Sequence, residues 1–259
     1  MLILFNGKFI PEEKPIITAT SEAFQFGLGA FETLRTYNKI LFKPVEHVDR
    51  LFQSAERVGL QTSITKKSVL SDLQKIVQKS PYPEQRIKII LVREGTIITS
   101  QKLTLPKDFK RGVSLQSTVQ RRAFPESKTL AYLDSYVVRM EAVHNGFYDG
   151  LLLDDQKNVY EGSYSNIFWF EEDTLCTRMD RVLPGITAQT VLELSPFKKL
   201  FRSIKYEDLL QKKEIFLTQT SSGILPVTRI DKHLISGGKV GERTKKIMQA
   251  FDEYARNYK

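Results

Sequence analysis

A strand-like stretch with an acid, a glycine and small hydroxyls in its middle constrains this chain more than any other feature. Residues 159–170, VYEGSYSNIFWF, are rich in the β-branched and aromatic side chains that strand interiors favour. Glu161, Gly162 and Ser163 interrupt this run, although strand interiors disfavour Glu and Gly. Because departures from local rules are expected at functional sites, the stretch is a candidate site. These residues leave open a structural alternative, a β-bulge with a solvent-facing Glu161.

The length and composition exclude several classes of protein. The 259 residues, 41% of them hydrophobic, are enough to bury the core of one large domain or two modest ones. No apolar run approaches the roughly 20 residues of a membrane helix, and the N-terminal MLILFNGKFI lacks the cleavage site of a signal peptide, so we expect no membrane partner. Cys176 is the only cysteine, which excludes a disulfide framework and fits a reducing, cytoplasmic setting.

The formal net charge of +9 raises the question of a nucleic-acid partner. The basic residues are scattered, however, and the Lys-Lys pairs at 198–199, 212–213 and 245–246 stand apart among acidic residues. We find no nucleic-acid-binding motif and expect no such partner, so the charge favours an anionic small molecule instead. The three histidines have no metal-ligand spacing, and we predict no metal site.

Hydrophobic periodicity predicts a chain of mixed helices and strands. Leu2 to Ile10 is expected to form a hairpin around Asn6-Gly7, the dipeptide that a type I′ turn prefers. Helices are expected over 44–58, 66–78, 129–145 and 241–254 and from Ala188 with Thr187 as its cap, strands over 86–93, 174–177 and 214–218, and a second hairpin over 150–170 that turns at 155–158. Polar, proline-containing sequence places a domain boundary within 107–127.

One predicted helix carries a polar ridge. In the helix expected over 44–58, His47, Arg50 and Ser54 recur at i, i+3 and i+7 and therefore share a face. Most ridges of this kind are solvated, which is the expectation here unless a ligand requires these side chains.

Three features of the sequence could bind a phosphate group. The helix start at Ile186-Thr187 offers unpaired backbone N–H groups and a positive dipole end. Thr220-Ser221 offers hydroxyls and turn amides, and Arg50 offers a fork of donors. Each feature alone is common. Together with Lys128 and the misplaced Glu161 they indicate a pyridoxal phosphate site, which needs a Schiff-base lysine, an acid for the pyridine nitrogen and a phosphate cup.

The chain resembles the class IV, branched-chain-type aminotransferases, which are the fold type IV enzymes among those that use pyridoxal phosphate. Seven pieces match in the family's order along nearly the whole chain, and chance is a poor explanation for seven in order. They are FGLGAFETLRTY (26–37), FKPVEHVDRLFQSAERV (42–58), SKTLAYLDSYVVRMEA (127–142), VYEGSYSNIFW (159–169), LPGIT (183–187), FLTQTSSGILPVTRID (216–231) and GKVGERTKK (238–246).

This resemblance implies an α/β (α+β) fold of two domains. A small N-terminal α/β domain is expected over residues 1–110, an interdomain linker over 111–121, and a larger, barrel-like cofactor-binding domain over 122–259. Pyridoxal 5′-phosphate is expected between the domains, and a second subunit of a homodimer is expected to complete the pocket.

The resemblance also assigns residues by matching position. Lys128 would be the Schiff-base lysine and catalytic base, Glu161 would pair with the pyridine nitrogen, and Arg50 would hold the phosphate. The other expected cofactor-binding residues are Tyr132, Ile186, Thr187, Thr220 and Ser221. The expected substrate pocket consists of Phe31, Arg35, Arg93 and Ser163.

The reaction is the finer question, because the family includes lyases as well as transaminases. Gly223 stands where branched-chain and D-amino-acid aminotransferases usually carry Glu. On that residue we expect 4-amino-4-deoxychorismate lyase, which releases 4-aminobenzoate and pyruvate in folate synthesis. The alternative is a transaminase for branched-chain L-amino acids, D-amino acids or amines with a keto-acid acceptor. A non-catalytic relative of the same fold is a more remote alternative.

Overall fold

The N-terminal hairpin forms around the predicted turn. Strand β1 (Leu2–Phe5) pairs antiparallel with β2 (Lys8–Ile10). Asn6 and Gly7 both have positive φ, at 46° and 77°, as a type I′ turn requires. The prediction from Asn6-Gly7 is confirmed.

The computed structural model describes residues 1–14 and 17–259, which divide into two compact units. The first unit comprises Met1–Thr104, Ser127–Tyr132 and Ala255–Lys259, and the second comprises Leu105–Glu126 and Leu133–Tyr254. The chain therefore passes between the units several times. This differs from the predicted arrangement of one domain over 1–110 and another over 122–259.

An antiparallel sheet with two helices packed on one face forms the core of the first unit. Its six described strands lie in the order β2-β1-β6-β5-β3-β4, where β3 is Ala30–Tyr37, β4 Ile40–Leu41, β5 Gln85–Val92 and β6 Gly95–Lys102. The helices are α1 (Glu22–Phe26), α2 (Pro44–Arg57) and α3 (Lys66–Lys79), and α2 and α3 are the two on this face. Leu34 and Ile87 of the sheet pack with Leu51 of α2 in one buried cluster, so the predicted apolar stripe of α2 faces the core.

A mixed, curled sheet forms the second unit. Its described strands lie in the order β12-β11-β10-β13-β14-β7-β8-β9, with β15 paired to β14. They are β7 Val113–Val119, β8 Asp149–Leu153, β9 Val159–Gly162, β10 Asn166–Glu171, β11 Thr174–Thr177, β12 Lys198–Phe201, β13 Ile215–Gln219, β14 Gly223–Ile230 and β15 His233–Leu234. The helices are α4 (Leu133–His144), α5 (Ile186–Leu194), α6 (Tyr206–Leu210) and α7 (Glu242–Arg256). The predicted α/β class is confirmed.

Three local predictions differ from the structure. The expected linker over 111–121 contains β7, an interior strand between β14 and β8, because Val113 and Leu115 supply the buried face of a strand that is polar on its other face. Helix α5 begins at Ile186 with Gly185 as its N-cap instead of Thr187. Helix α4 begins at Leu133, since residues before it pair with a strand edge, as described below. No helix among the described residues is both long and apolar enough to cross a membrane.

Candidate active site

Lys128 lies in an extended segment at the edge of β3, within the first unit. The Phe31 N–H donates to the Lys128 carbonyl at 2.9 Å, and the Leu130 N–H donates to the Gly29 carbonyl at 2.9 Å. The Lys128 N–H donates to the Ser54 hydroxyl of α2 at 3.0 Å. These bonds explain why the helix predicted from residue 129 begins only at Leu133: pairing with β3 satisfies the backbone groups of this segment.

Two aromatic rings lie close to the Lys128 amine. Its Nζ lies 4.6 Å from the centroid of the Phe31 ring and 5.6 Å from that of Tyr132, and the two rings meet edge to face at 5.1 Å. The predicted contacts of Tyr132 and Phe31 with a bound cofactor or substrate remain predictions. Both rings nevertheless line the amine that the resemblance assigns as catalytic.

The polar ridge of α2 is buried, although most such ridges are solvated. Arg50 donates from Nε and Nη2 to the two carboxylate oxygens of Glu32, at 2.7 and 2.9 Å, and His47 Nδ1 lies 2.8 Å from Glu32 Oε2. Glu32, His47 and Arg50 are all at least nine-tenths buried. The predicted phosphate ligand is therefore held in a fixed plane by a carboxylate on β3.

The electrostatics of this cluster follow from its burial. Burial raises the pKa of Glu32, but Arg50 and His47 outweigh it and hold that pKa far below its usual range. Burial lowers the pKa of His47, and the Glu32 carboxylate opposes it only in part, so His47 is neutral at pH 7. Sequence reasoning missed Glu32, yet the signal was present: it is an acid inside a strand, like Glu161.

Of the expected substrate-pocket residues, the two arginines have carboxylate partners. Arg35 Nη2 donates to Glu84 at 2.7 Å, with the guanidinium over the Tyr37 ring, and Arg93 Nη2 lies 2.7 Å from Glu22. Their role in substrate binding remains a prediction, and these contacts do not add support to it.

Lys88 is a pocket candidate that sequence reasoning missed. Its Nζ lies 4.9 Å from the centroid of the Phe31 ring, the ring that also borders the Lys128 amine. Burial, with a smaller effect of Arg86, lowers the pKa of Lys88. Within residues 1–14 and 17–259, no carboxylate lies within ion-pair distance of Lys88 or Arg86. The signal in the sequence was a lysine in the middle of the buried strand RIKIILVR.

Glu161 lies in the second unit and is buried, with 4% of its surface exposed. It accepts from Arg122 Nη1 at 2.8 Å and from the Leu183 N–H at 3.1 Å, and Asn166 Nδ2 lies 3.5 Å from it. The pairing of β8 and β9 does shift register at Glu161, so the β-bulge is present. Its carboxylate is enclosed instead of solvent-facing, which favours the functional interpretation. The sequence analysis placed Arg122 in the segment that contains the domain boundary and did not predict its contact with Glu161.

The expected phosphate-binding groups of the second unit lie near the ends of β10 and β13 and at the start of α5. Asn166 of β10 pairs with Thr218 of β13, and Thr220-Ser221 form the turn that comes next. Asn166 also donates to the Leu183 carbonyl at 2.8 Å, just before the start of α5, where Ile186 and Thr187 are buried. Their binding of phosphate remains a prediction; Asn166 connects Glu161 to the segment that leads into α5.

The structure supplies a packing reason for Gly223. Its φ is 71°, in the left-handed region that favours glycine, and a Cβ there would lie 2.9 Å from the Phe251 ring. In this chain the positive φ and the Phe251 ring both favour glycine at this position, so Gly223 has a packing explanation that is independent of the reaction.

The residues present fit pyridoxal 5′-phosphate. The first unit provides an amine near two aromatic rings and a buried guanidinium, and the second provides a buried carboxylate that accepts from a backbone amide. These are the groups that such a cofactor needs: a lysine for its aldehyde, an acid for its ring nitrogen and cationic or amide donors for its phosphate.

Comparison with known proteins agrees with this class. The family model "Amino-transferase class IV" matches residues 29–230. The chain belongs to the class IV aminotransferase family, the pyridoxal-phosphate-dependent enzymes of fold type IV. A Thermotoga maritima protein named "Probable branched-chain-amino-acid aminotransferase" is 30% identical over 274 residues, covering 99% of this chain and 97% of the relative. The D-alanine aminotransferase of Bacillus licheniformis is 28% identical over 271 residues, covering 96% and 95%.

Solved structures show the same fold. The branched-chain aminotransferase of Thermoproteus uzoniensis with norvaline superposes with a TM-score of 0.91 at 24% identity, covering 100% of this chain and 96% of the other. The branched-chain amino acid aminotransferase from Escherichia coli has a TM-score of 0.88 at 24% identity, covering 97% and 92%.

Proposed function

We propose that this protein is an aminotransferase that moves the amino group of a carboxylate-bearing amino acid to a keto acid. The observation that carries the proposal is the Lys128 amine on the Phe31 ring, with the cation Lys88 beside the same ring. The relatives named for branched-chain amino acids and D-alanine support a transaminase over the lyase expected from Gly223.

The proposed roles divide between the two units. Bound pyridoxal 5′-phosphate supplies an electron-accepting ring. Lys128 would hold the cofactor at its aldehyde and would move the proton at the substrate Cα. Glu161 would keep the ring nitrogen protonated, Arg50 would bind the phosphate, and the α5 start and the Thr220-Ser221 turn would offer further phosphate donors.

Lys88 and Arg86 are the proposed carboxylate-binding residues. Strand pairing places Lys88 opposite Thr33 and Arg86 opposite Arg35, on the same face of the sheet as Phe31. Among the residues that the structure describes, neither side chain has a carboxylate within ion-pair distance, and a substrate carboxylate would supply that charge partner. This proposal is supported by the Phe31 ring, which both the Lys88 and the Lys128 amines approach.

The reaction is tested with purified holoenzyme. We expect L-leucine or D-alanine to convert the cofactor to its amino form once, with steady turnover only after a keto acid such as 2-oxoglutarate is added. Aminodeoxychorismate without a keto acid should release no more than one equivalent of product per site. Sustained release of 4-aminobenzoate and pyruvate without any acceptor, with no amino transfer from either amino acid, would contradict the proposal.

The lyase remains a second candidate because of one observation. Two basic residues, Lys88 and Arg86, lie on the face of the sheet that carries Phe31, which is more positive charge than a single α-carboxylate needs. A substrate with additional acidic groups would use both. The same assay panel decides between the two reactions.

A homodimer is also part of the proposal. Leu133, Tyr136, Val137, Met140 and Val143 of α4 recur at helical spacing and are 48–71% exposed, whereas Ser135, Val138 and Ala142 form the buried face. A contiguous apolar stripe on an exposed helix face is typical of an interface. We propose that a second copy of the chain covers it.

Met140→Glu is therefore expected to weaken the dimer. A charge in a covered apolar face costs several kcal/mol unless it is paired, so light scattering at micromolar concentration should detect monomer. Glu141→Gln, at the neighbouring exposed position, is the control and should leave the dimer intact. A monomeric parent protein, or equal behaviour of both variants, would remove the stripe from the interface.

The proposed setting is the cytoplasm. Cys176 is buried and free, as a reducing compartment permits. Localisation of a tagged full-length chain tests this part directly.

A further inference from the structure

Asp149 is a fully buried carboxylate at the start of β8 with a role that the reaction does not explain. It accepts hydrogen bonds from the Gly150 N–H at 2.8 Å, from the Ser163 hydroxyl, and from the Ser165 hydroxyl at 3.2 Å. Arg139 Nη1 of α4 lies 3.4 Å away. Burial raises the pKa of Asp149, and Arg139 and the hydrogen-bond donors oppose that rise.

The two serines belong to one tight turn, residues 162–165, between β9 and β10. The Gly162 N–H donates to the Ser165 carbonyl at 2.7 Å, and the Ser163 N–H donates to the Gly150 carbonyl at 2.9 Å. A Cβ on Gly162 would collide with the Ser165 hydroxyl and approach Asp149 Oδ2 to 3.1 Å. Gly162 therefore allows the turn to close on the Asp149 carboxylate.

The residues on either side of this turn belong to the candidate active site. Glu161 precedes it and accepts from the Leu183 N–H, and Asn166 follows it and donates to the Leu183 carbonyl. Displacement of the turn would move both side chains, since each is joined to it by one peptide bond.

We propose that Asp149 is a positioning residue that anchors the 162–165 turn and thereby aims the Glu161 carboxylate. This inference rests on the proposed role of Glu161 as the acid for the cofactor's ring nitrogen. It also gives the Ser163 hydroxyl a structural partner, in place of the substrate contact expected from the sequence. Outer residues of this kind commonly change the affinity or electronics of a bound group without touching it.

A matched control exists on the same hairpin. Asp154, directly after β8, is also buried and accepts from the Asn158 N–H and Nδ2, both at 2.8 Å, and from the Tyr160 hydroxyl at 3.2 Å. It anchors the opposite end of the β8–β9 hairpin. Asp149→Asn and Asp154→Asn each remove a buried carboxylate from this hairpin, and only Asp149 accepts hydrogen bonds from the serines of the 162–165 turn.

The experiment compares holoenzymes of the parent, Asp149→Asn, Asp154→Asn and Glu161→Gln. For each we measure the dissociation constant of pyridoxal 5′-phosphate, the pH dependence of the visible absorption band of the bound cofactor, and the melting temperature. Asp149→Asn should weaken cofactor binding about tenfold, the loss expected for a misaligned charged hydrogen bond, and shift the midpoint of the band in the same direction as Glu161→Gln. Asp154→Asn should lower the melting temperature alone.

Each outcome discriminates. If Glu161→Gln shifts the band and Asp149→Asn behaves like Asp154→Asn, the positioning role is wrong. If Glu161→Gln leaves the band unchanged, the proposed role of Glu161 itself fails, which is a separate result. Should Asp149→Asn not fold, the double variant Ser163→Ala/Ser165→Ala removes the same contacts from the other side. That variant must then show the spectral shift, and a parent-like spectrum would overturn the inference.

Discussion

Lys128→Ala is expected to lose at least about a thousandfold in turnover, because it removes the group proposed to bind the cofactor and to act as general base. The fold should survive, since the contacts that hold this segment are made by the backbone of Lys128 and Leu130 with Ser54, Phe31 and Gly29. Rates with added amino and keto acid, together with the melting temperature, measure both effects.

Chemical labelling identifies the lysine directly. Borohydride reduction of the holoenzyme, digestion and mass spectrometry should place the pyridoxyl label on Lys128. Lys88 is the informative control, because its amine lies against the same Phe31 ring. Lys88→Met should keep the label and raise the KM for the amino acid, whereas a label found on Lys88 of the parent protein would exchange the two roles.

Arg50→Ala is expected to have the second-largest effect, on stability as well as on cofactor binding. It leaves the Glu32 carboxylate buried without its bidentate partner, and breaking a buried ion pair in this way costs about 3–5 kcal/mol. It also removes the guanidinium proposed to hold the phosphate. Cofactor titration with pyridoxal 5′-phosphate and with pyridoxal separates the effects, since only the former carries a phosphate.

The pH dependence of this variant has a definite sign. In the parent, the pKa of Glu32 is depressed, so its stabilising contribution is complete above the unfolded-state pKa of about 4.3 and is lost as the pH falls toward the folded-state pKa. Without Arg50, only His47 opposes the effect of burial, which is the largest influence on this pKa, so the pKa of Glu32 should rise. The loss of stability in Arg50→Ala should therefore be greatest near pH 7 and smaller near pH 5, as measured by denaturant unfolding.

A double variant separates the effect on stability from the effect on phosphate binding. Glu32→Gln/Arg50→Ala removes the stranded charge and should recover part of the stability at pH 7, yet it should not recover selectivity for pyridoxal 5′-phosphate over pyridoxal. If Arg50→Ala weakens both ligands equally, Arg50 does not bind the phosphate. If stability is unchanged at every pH, the ion pair with Glu32 contributes nothing measurable.

The sequence by itself determined those elements whose signals are local. Asn6-Gly7 specified a hairpin because both residues tolerate positive φ, and the apolar stripe of α2 specified a helix because its spacing matches 3.6 residues per turn. The family and the cofactor class were predictable because seven short motifs occur in order, with Lys128 among them. None of this required knowledge of which residues meet in space.

Only the tertiary structure decided which residues surround the candidate site residues. Residues 128–130 pair with the start of β3, although the sequence predicted a helix from residue 129, because backbone bonding to a strand about 100 residues away outweighs local propensity. The roles assigned to Glu32 and Lys88 depend on side chains of other strands and helices. The packing constraint on Gly223 comes from the Phe251 ring. Such contacts join positions far apart in the chain, so no local pattern encodes them, and burial then sets their charge and their energy.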